Sequence, residues 1–478
     1  MLFNSHIFML LFLPLLLAGW YFLNWKKKFQ LAQGYLIGMS LWFYAYANLQ
    51  YLWLLLFSCL IGWLLSCVPE KISSEKGKKV LTGVGCVFHL GLLGYFKYSN
   101  FFLENLNTVF HTDFPMLQIL LPVGISFYTF QQLAYLIDRC RGDAPRDSLF
   151  DYLTFMVYFP QLLQGPILLR SEFMGQLKEP ERRRFHAERF SEGIQFFVFG
   201  LAKKVLLADT LAKAVNYGYS NVSMLDSISA LLLAVGYLTE LYFDFSGYCD
   251  MAVGLGKMIG LEVAENFDAP FHSASVKEFW RRWHMTLGRF FTRYVYIPLG
   301  GSRKGLGRTI LNLFVVWALT GLWHGASWNF VLWGLYFFIF IALERLFLNK
   351  VFARLPGFVS HIYLLIVVYF GWILFRFKNM ALIGVVLKGM FCQNGNPWTT
   401  FEANTTLLNY IFFLAIAVIA VTPVVHNIGR AISVASGRSA AWFRVNSVVQ
   451  VAMPLVLLLI STMSLVGNSY NPFLYFQF

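Results

Sequence analysis

Long apolar stretches separated by short polar connections run along almost the whole chain. Roughly ten to twelve of them have the length of a membrane-spanning helix, which needs about 20 apolar residues. The main stretches lie at 7–23, 31–48, 51–67, 80–97, 117–137, 190–208, 227–246, 326–345, 360–376, 406–425 and 447–466. The pattern therefore predicts an all-α polytopic membrane protein that forms a single domain over residues 1–478.

Proline and glycine interrupt several apolar segments. Residues 151–170 contain Pro160, Gly165 and Pro166, which predicts a broken or re-entrant helix because these residues interrupt the backbone hydrogen bonds. Pro122 and Gly124 predict a kink within the stretch 117–137. The segment 376–391 is too short for a span and is predicted to lie in the membrane interface as an amphipathic helix.

Composition and charge agree with this class of protein. Hydrophobic residues make up 58% of the chain and charged residues only 13%, against about 25% charged in soluble domains. The net charge of +14 comes from basic residues dispersed between spans, which indicates the positive-inside bias of cytoplasmic loops and not nucleic-acid binding. Lys26, Lys27 and Lys28 follow the first apolar run, so that run is predicted to be a retained helix whose N-terminus lies outside.

His324 lies in the apolar sequence LTGLWHGASWNF. Apolar runs normally exclude ionisable groups because such groups cannot hydrate in hydrocarbon. Burial favours the neutral imidazole, which can accept a proton from a hydroxyl. A hydrogen-bonded packing role and a catalytic role both remain open for this residue on its sequence alone.

A second histidine, His284, lies in the aromatic and basic sequence EFWRRWHMTLGRFF. One interpretation is an amphipathic helix that lies on lipid headgroups, with its tryptophans in the interfacial belt. The other is that its arginines frame the mouth of a site for an anionic donor, because guanidinium binds phosphate through two parallel hydrogen bonds. The candidate phosphate ligands are Arg281, Arg282 and Arg289, with Arg293 close by.

Glu240, Asp244 and Asp250 stand among aromatic residues and glycines at a predicted membrane edge. They are predicted to cap helices or to pair with the arginines that follow, and a direct substrate role is the alternative. No phosphate-binding loop, nucleophile elbow or paired-cysteine metal signature occurs in the chain. The six cysteines lack paired spacing, so they are predicted to be small buried hydrophobic residues, and no metal site is expected.

Taken together, the longer motifs resemble those of the membrane-bound O-acyltransferases, in the bacterial branch of the alginate O-acetyltransferase membrane subunit. The core motifs lie within 240–334 and include SVKEFWRRWHMTLGRFFTRYVYIPLGGSRKG and LTGLWHGASWNFVLWG. Other matching sequences include LPVGISFYTFQQLAYLID, FPQLLQGPI, YFDFSGYCDMAVGLGKMIG, FGWILFRF and the closing SYNPFLYFQF. Where this branch would have Trp-Phe-Arg-Asp, the chain has Phe290, Phe291, Thr292 and Arg293, without the acid.

The resemblance implies a fold in which an outer funnel and a cytoplasmic tunnel meet near the family histidine. That histidine corresponds to His324, and the second family position, histidine or asparagine, corresponds to His284. The implied reaction moves an acyl group, acetyl from cytoplasmic acetyl-CoA, across the bacterial inner membrane for O-acetylation of an exported polysaccharide. An outer-face partner protein is expected to complete the transfer, and no bound cofactor is expected.

Two other functions compete with this one. The first, within the same family, is transfer of D-alanine from a carrier protein to teichoic acid. The second is a transporter or flippase without covalent chemistry, in which buried histidines relay protons. A transporter would carry acidic or basic residues deep in several spans, and the sequence shows few of these.

Overall fold

The computed structural model describes residues 1–46, 49–467 and 473–474. Across this part of the chain no β-strand forms beyond an antiparallel bridge between Phe267 and Trp283. Nine helical segments within these ranges are long and apolar enough to cross a bilayer. Three further predicted spans also fold as helices. They are Phe29–Ala45 and Ile125–Arg141, with 17 residues each, and Ala187–Ala202, with 16 residues. The predicted all-α polytopic fold is confirmed.

The chain forms two compact units. The first comprises Met1–Phe197, Cys249–Glu265 and Thr292–Tyr294, and the second comprises Val198–Tyr248, Asn266–Phe291 and Val295–Phe478. The α-helices up to residue 177 are α1 Leu13–Trp25, α2 Phe29–Ala45, α3 Gln50–Ser66, α4 Glu75–Leu93, α5 Ser99–Phe110, α6 Ile125–Arg141, α7 Leu149–Met156, α8 Phe159–Leu162 and α9 Arg170–Leu177.

The later helices carry the motifs around the two histidines. They are α10 Ala187–Ala202, α11 Asp209–Ser220, α12 Ser227–Ile259, α13 Val276–Arg282, α14 Met285–Phe291, α15 Leu306–His324, α16 Trp328–Leu343, α17 Asn349–Phe352, α18 Gly357–Arg376, α19 Met380–Met390, α20 Phe401–Ala420, α21 Val424–Ser436 and α22 Ala440–Gly467. Wider π-helical turns lie at Phe8–Phe12, Gly94–Tyr98, Lys203–Ala208, Thr292–Tyr296 and Glu344–Leu348, and 3₁₀ turns at Pro69–Lys71, Pro180–Arg183, Val222–Met224 and Pro270–His272.

Proline and glycine break the backbone where the sequence predicted breaks. Residues 151–170 contain two short helices, α7 and α8, and non-helical backbone around them, as a broken helix requires. At Gly124 the helix is interrupted completely, because α6 begins only at Ile125 and residues 117–124 are not helical. At Gly124, φ is +79° and an added Cβ would stand 2.4 Å from the carbonyl oxygen of Leu162, so only glycine fits.

Three predictions about boundaries were wrong. The stretch ending at 246 continues as helix α12 to Ile259, so Glu240, Asp244 and Asp250 lie inside a long helix and not at its edge. The predicted span 326–345 continues as helix as far as Phe352. The N-terminal part of the predicted span 117–137 is not helical. The end of the predicted span 31–48 and most of the closing motif 469–478 lie outside the described residues.

Candidate active site

His324 is the last residue of α15, in the second unit. The helix ends there because Gly325 adopts an extended backbone, with φ at −173°, and Ser327 starts the next helix, α16. The two helices cross at Gly321 and Gly334. A Cβ added to Gly334 would stand 2.4 Å from the carbonyl oxygen of Trp317 and 3.1 Å from the Cα of Gly321. Glycine at both positions therefore permits the close crossing that brings α16 against His324.

Aromatic rings surround the His324 imidazole. Its ring centroid lies 4.8 Å from that of Trp333, 5.0 Å from that of Trp323 and 5.3 Å from that of Phe375. The end of α18 is held here by Asn329, whose side-chain amide donates to the carbonyl oxygen of Phe375 at 3.0 Å. The side chain of His324 is 5% exposed, so the imidazole works in surroundings from which most water is excluded.

Three indole N–H groups lie in this aromatic cluster without an acceptor among the described residues. They belong to Trp280, Trp333 and Trp372. The Trp333 ring contacts the Trp280 ring at 5.3 Å and the Trp372 ring at 5.9 Å between centroids. A buried donor without an acceptor costs about 1–3 kcal/mol, so such groups often serve a ligand or a bound water. Of these three tryptophans, Trp333 contacts the His324 imidazole, at 4.8 Å between ring centroids.

His284 lies at the break between α13 and α14. Its φ is +48°, in the left-handed region that residues other than glycine rarely adopt. Two backbone hydrogen bonds on either side hold this conformation, from Asp268 N to the Arg282 carbonyl and from Met285 N to the Asn266 carbonyl, both 3.0 Å. Strained backbone of this kind concentrates at functional sites.

The His284 side chain is buried in a small polar cluster. Its Nδ1 lies 3.3 Å from the Asn266 side-chain oxygen, which also accepts from the N–H and the hydroxyl of Thr286, both at 3.0 Å. The ring of Phe245 packs edge-on at 4.8 Å between centroids. Burial lowers the pKa of His284 from its ordinary 6.5 to about 3, which keeps this imidazole neutral at physiological pH.

The fold brings the two histidines into one region of the second unit. The Trp323 indole lies between them, 5.8 Å from the His284 ring and 5.0 Å from the His324 ring, measured between centroids. The two imidazoles are therefore no farther apart than the sum of those distances. His284 and His324 are 40 residues apart in the sequence. The packing of α13 against α16 and α18 brings them into the same region.

A buried carboxylate anchors the helix that precedes His284. Glu344 accepts hydrogen bonds from the backbone N–H groups of Val276 and Lys277, at 2.6 and 3.0 Å, at the N-terminus of α13. Ser275 caps the same end by accepting from Glu278 N at 3.1 Å. Negative charge at a helix N-terminus complements the exposed N–H groups and the helix dipole. Glu344 therefore fixes the position of the whole WRRWH segment.

The arginines near His284 differ in their surroundings. Arg282 bridges the carboxylates of Glu278 and Asp268, at 3.0 and 3.1 Å, so its charge is already neutralised. The side chain of Arg281 is 77% exposed and reaches Glu278 only at 3.9 Å. Arg289 is half-buried on α14. Of the three, Arg281 is the arginine best able to meet a phosphate, and a phosphate role for each remains a prediction.

Asp244 pairs with a lysine that precedes it in the sequence, and one predicted alternative, an ion pair with the arginines that follow it, is wrong. In the second unit Asp244 binds the Lys204 ammonium at 2.6 Å, and Asp209 binds the same ammonium at 2.8 Å. Asp244 also accepts from the backbone N–H of Leu474 at 2.9 Å. Arg293 belongs to the first unit, where it binds Asp138 at 3.0 Å.

Sequence reasoning missed Asn266, Trp333 and Glu344. Asn266 is a single polar residue in a connection without periodicity, and Glu344 lies at the very end of the predicted span 326–345. Their functions depend on which distant segments meet. An acid inside a helical apolar run was the one available signal for Glu344. In the described part of the chain no group of three or more His, Cys, Asp or Glu side chains is arranged to hold a metal ion.

Comparison with known proteins adds to this geometry. Residues 144–387, which include both histidines, match the family model for membrane-bound O-acyltransferases. The chain is 36% identical to the probable alginate O-acetylase AlgI of Pseudomonas putida over the full length of both proteins. It is 34% identical to the peptidoglycan O-acetyltransferase of Helicobacter pylori over 83% of this chain and 80% of that protein. The teichoic acid D-alanyltransferase of Bacillus subtilis is 27% identical over 53% of this chain and 67% of its own.

Proposed function

The chain belongs to the membrane-bound O-acyltransferase family, and we propose that it moves an acetyl group from cytoplasmic acetyl-CoA across the bacterial inner membrane for O-acetylation of an exported polysaccharide. The relatives similar to most or all of the chain are an alginate O-acetylase and a peptidoglycan O-acetyltransferase. Both names specify an acetyl group and a polysaccharide acceptor. The D-alanyltransferase matches a smaller share of the chain at lower identity, so D-alanine is the less favoured acyl group.

The observation that carries the proposal is the position of His324. The residue is an ionisable group at the end of an apolar helix, largely shielded from water, with aromatic rings on several sides and an indole donor in contact. A histidine with only a packing role would be expected to accept the hydrogen bond of a neighbouring donor. The N–H of the neighbouring Trp333 has no acceptor among the described residues. Acyl transfer to a hydroxyl uses a base for the hydroxyl proton and a donor for the oxyanion, and the His324 imidazole and the Trp333 indole are the groups proposed for these two roles.

In the proposed reaction, His324 accepts the proton of the attacking hydroxyl while the hydroxyl oxygen bonds to the carbonyl carbon of the thioester. The hydroxyl belongs to the polymer or to an outer-face partner protein that passes the acetyl group to it. The carbon–sulfur bond then breaks, and the imidazolium returns the proton to the leaving sulfur, which departs as the thiol of CoA. Hydrogen bonds from indole N–H groups, first from Trp333, stabilise the negative oxygen of the tetrahedral intermediate.

In this scheme Arg281 and Arg289 supply the positive charge near His284, whereas the charge of Arg282 is balanced by Glu278 and Asp268. The phosphates of CoA are anionic, and Arg281 has the most exposed guanidinium of the three. His284 remains neutral and orients the reacting groups or shares the proton. Its neutrality follows from burial, because desolvation disfavours the imidazolium.

The test is consumption of labelled acetyl-CoA by the purified protein, with alginate oligosaccharides or peptidoglycan fragments as acceptors and with or without the outer-face partner. His324→Ala is expected to abolish transfer while its elution from a sizing column in detergent stays unchanged. The matched control is His111→Asn, an exposed histidine with φ at +52°, where asparagine tolerates the same backbone conformation. Normal acetylation by folded His324→Ala would overturn the assignment. Transfer of D-alanine from a carrier protein, with none from acetyl-CoA, would overturn the donor.

A further inference from the structure

Asn266 is one of the most buried polar residues in the second unit, with 1% of its surface exposed. Its side-chain oxygen faces three polar hydrogens. They come from the backbone N–H of Thr286 at 3.0 Å, the Thr286 hydroxyl at 3.0 Å and the Nδ1 of His284 at 3.3 Å. One amide oxygen thus contacts both His284, between α13 and α14, and Thr286, in the first turn of α14.

The backbone N–H of Thr286 decides the chemistry of this cluster. A backbone N–H can only donate, so the Asn266 atom that faces it is the carbonyl oxygen and not the NH₂ group. An amide oxygen can only accept, so the Nδ1 of His284 must carry a hydrogen. A neutral imidazole has one N–H. The other nitrogen, Nε2, is therefore the basic one.

We propose that Asn266 is a positioning residue that holds His284 as its Nδ1–H tautomer and so makes Nε2 the nitrogen that accepts a hydrogen bond from the reacting groups during acyl transfer. The hydrogen bond made by one ring nitrogen generally decides the role of the other. Burial supplies the second condition, because it keeps the imidazole neutral and hence restricted to one N–H.

The backbone of Asn266 adds a positional constraint to this chemical one. Its carbonyl oxygen accepts from Met285 N at 3.0 Å, next to the strained φ of +48° at His284. Left-handed backbone at a residue other than glycine is strained and persists only where the surroundings fix it. Asn266 bonds to the residues on and directly after that strained position through both its main chain and its side chain. The same residue therefore sets where the imidazole lies and which nitrogen is basic.

The inference rests on the proposed function only for the identity of the group that bonds to Nε2 of His284. The tautomer itself is a property of the folded protein without substrate. It is measured by nitrogen NMR on protein labelled with ¹⁵N-histidine, and the His284 signals are assigned by their loss in His284→Gln. The expected spectrum has Nδ1 protonated and Nε2 unprotonated. A wild-type spectrum with hydrogen on Nε2 would overturn the proposal whatever the activity.

Substitutions of Asn266 separate positioning from packing. Asn266→Leu removes the acceptor and is expected to mix the tautomers and to lower kcat by roughly 10²-fold, with a much smaller change in KM. Asn266→Asp keeps an acceptor at the same place and is expected to retain the Nδ1–H tautomer and to restore part of kcat. Thr286→Val is the control for loss of a buried hydrogen bond, because the backbone N–H of residue 286 still fixes the Asn266 oxygen and hence the tautomer.

The outcomes are distinguishable from those of the function test. If the tautomer is as expected and Asn266→Leu transfers acetyl at the wild-type rate, the positioning role is wrong while the proposed reaction stands. If acetyl-CoA is not consumed by any variant, the proposed reaction is wrong while the tautomer result still decides the role of Asn266. Should Asn266→Leu fail to fold, the wild-type and Asn266→Asp spectra decide the proposal alone.

Discussion

The crossing of α15 and α16 offers a test of how the site is held in place. In Gly334→Ala the new Cβ would stand 2.4 Å from the Trp317 carbonyl oxygen, where ordinary contacts begin at 3.4 Å. The obstacle is backbone, so no side chain can rotate away. We expect the helices to separate locally by about 1 Å, with an overpacking cost of about 1–3 kcal/mol. Replacing glycine by alanine inside a helix returns about 1 kcal/mol, which leaves a net loss of about 0–2 kcal/mol.

Activity should suffer far more than stability in this variant. Trp333 precedes Gly334 directly, so the same shift moves its indole away from His324. A misplacement of about 1 Å at reacting groups can cost roughly 10²-fold in rate. The assay compares acetyl transfer and apparent melting temperature in detergent. Gly91→Ala in α4 is the matched control, because its Cβ would meet no atom within 4 Å. Wild-type activity in Gly334→Ala would refute the proposed link between helix crossing and catalysis.

Three further predictions follow from buried groups. Lys204→Met leaves buried carboxylates without their cation and should lower the free energy of unfolding by about 3–5 kcal/mol, which is measured as a large fall in melting temperature. Lys257→Met is the control. It breaks a more exposed ion pair and should lower the free energy of unfolding by under about 1 kcal/mol. The folded pKa of His284 is depressed from 6.5 to about 3, so below pH 6.5 the unfolded chain binds a proton that the folded chain does not. The protein should therefore lose stability as the pH is lowered, by about 2 kcal/mol at pH 5. The prediction is contradicted if the melting temperature of His284→Gln falls with acid as much as that of the wild type. Trp333→Phe keeps a ring but loses the N–H, and should lower kcat by roughly 10²-fold with little change in KM, while an unchanged kcat would exclude that donor.

Hydropathy alone predicted the helical class, because a chain in hydrocarbon must satisfy its backbone within each segment. It could not place the end of α12. Acidic residues in an apolar sequence usually indicate the end of a helical span, but α12 continues past Asp244 to Ile259, and Lys204, 40 residues earlier, neutralises that carboxylate inside the unit. Sequence separation hides such pairing, so a charge that is paired in the fold looks unpaired in the sequence.

The sequence predicted a residue of the candidate site where that residue was unusual for its local sequence. His324 stood out because an ionisable group is costly in an apolar run, and the structure places it at the end of an apolar helix. Asn266 broke no rule, since a polar residue in a connection is ordinary. Its importance arises from the antiparallel pairing of 267 with 283, which brings Asn266 beside His284. Tertiary pairing of this kind leaves no local signal.

The two imidazoles lie in different electrostatic surroundings, and this difference assigns their roles in the proposed reaction. His324 ends α15, where the last carbonyl groups present partial negative charge that stabilises a cation by about 0.3–1 kcal/mol. His284 lies between two short helices and is fully enclosed, with an amide oxygen and aromatic rings around it and burial that disfavours its charged form. The imidazole that becomes positive during transfer is therefore expected to be His324. His284, held in one tautomer by Asn266, is suited to remain neutral and to orient a reacting group through the unprotonated Nε2.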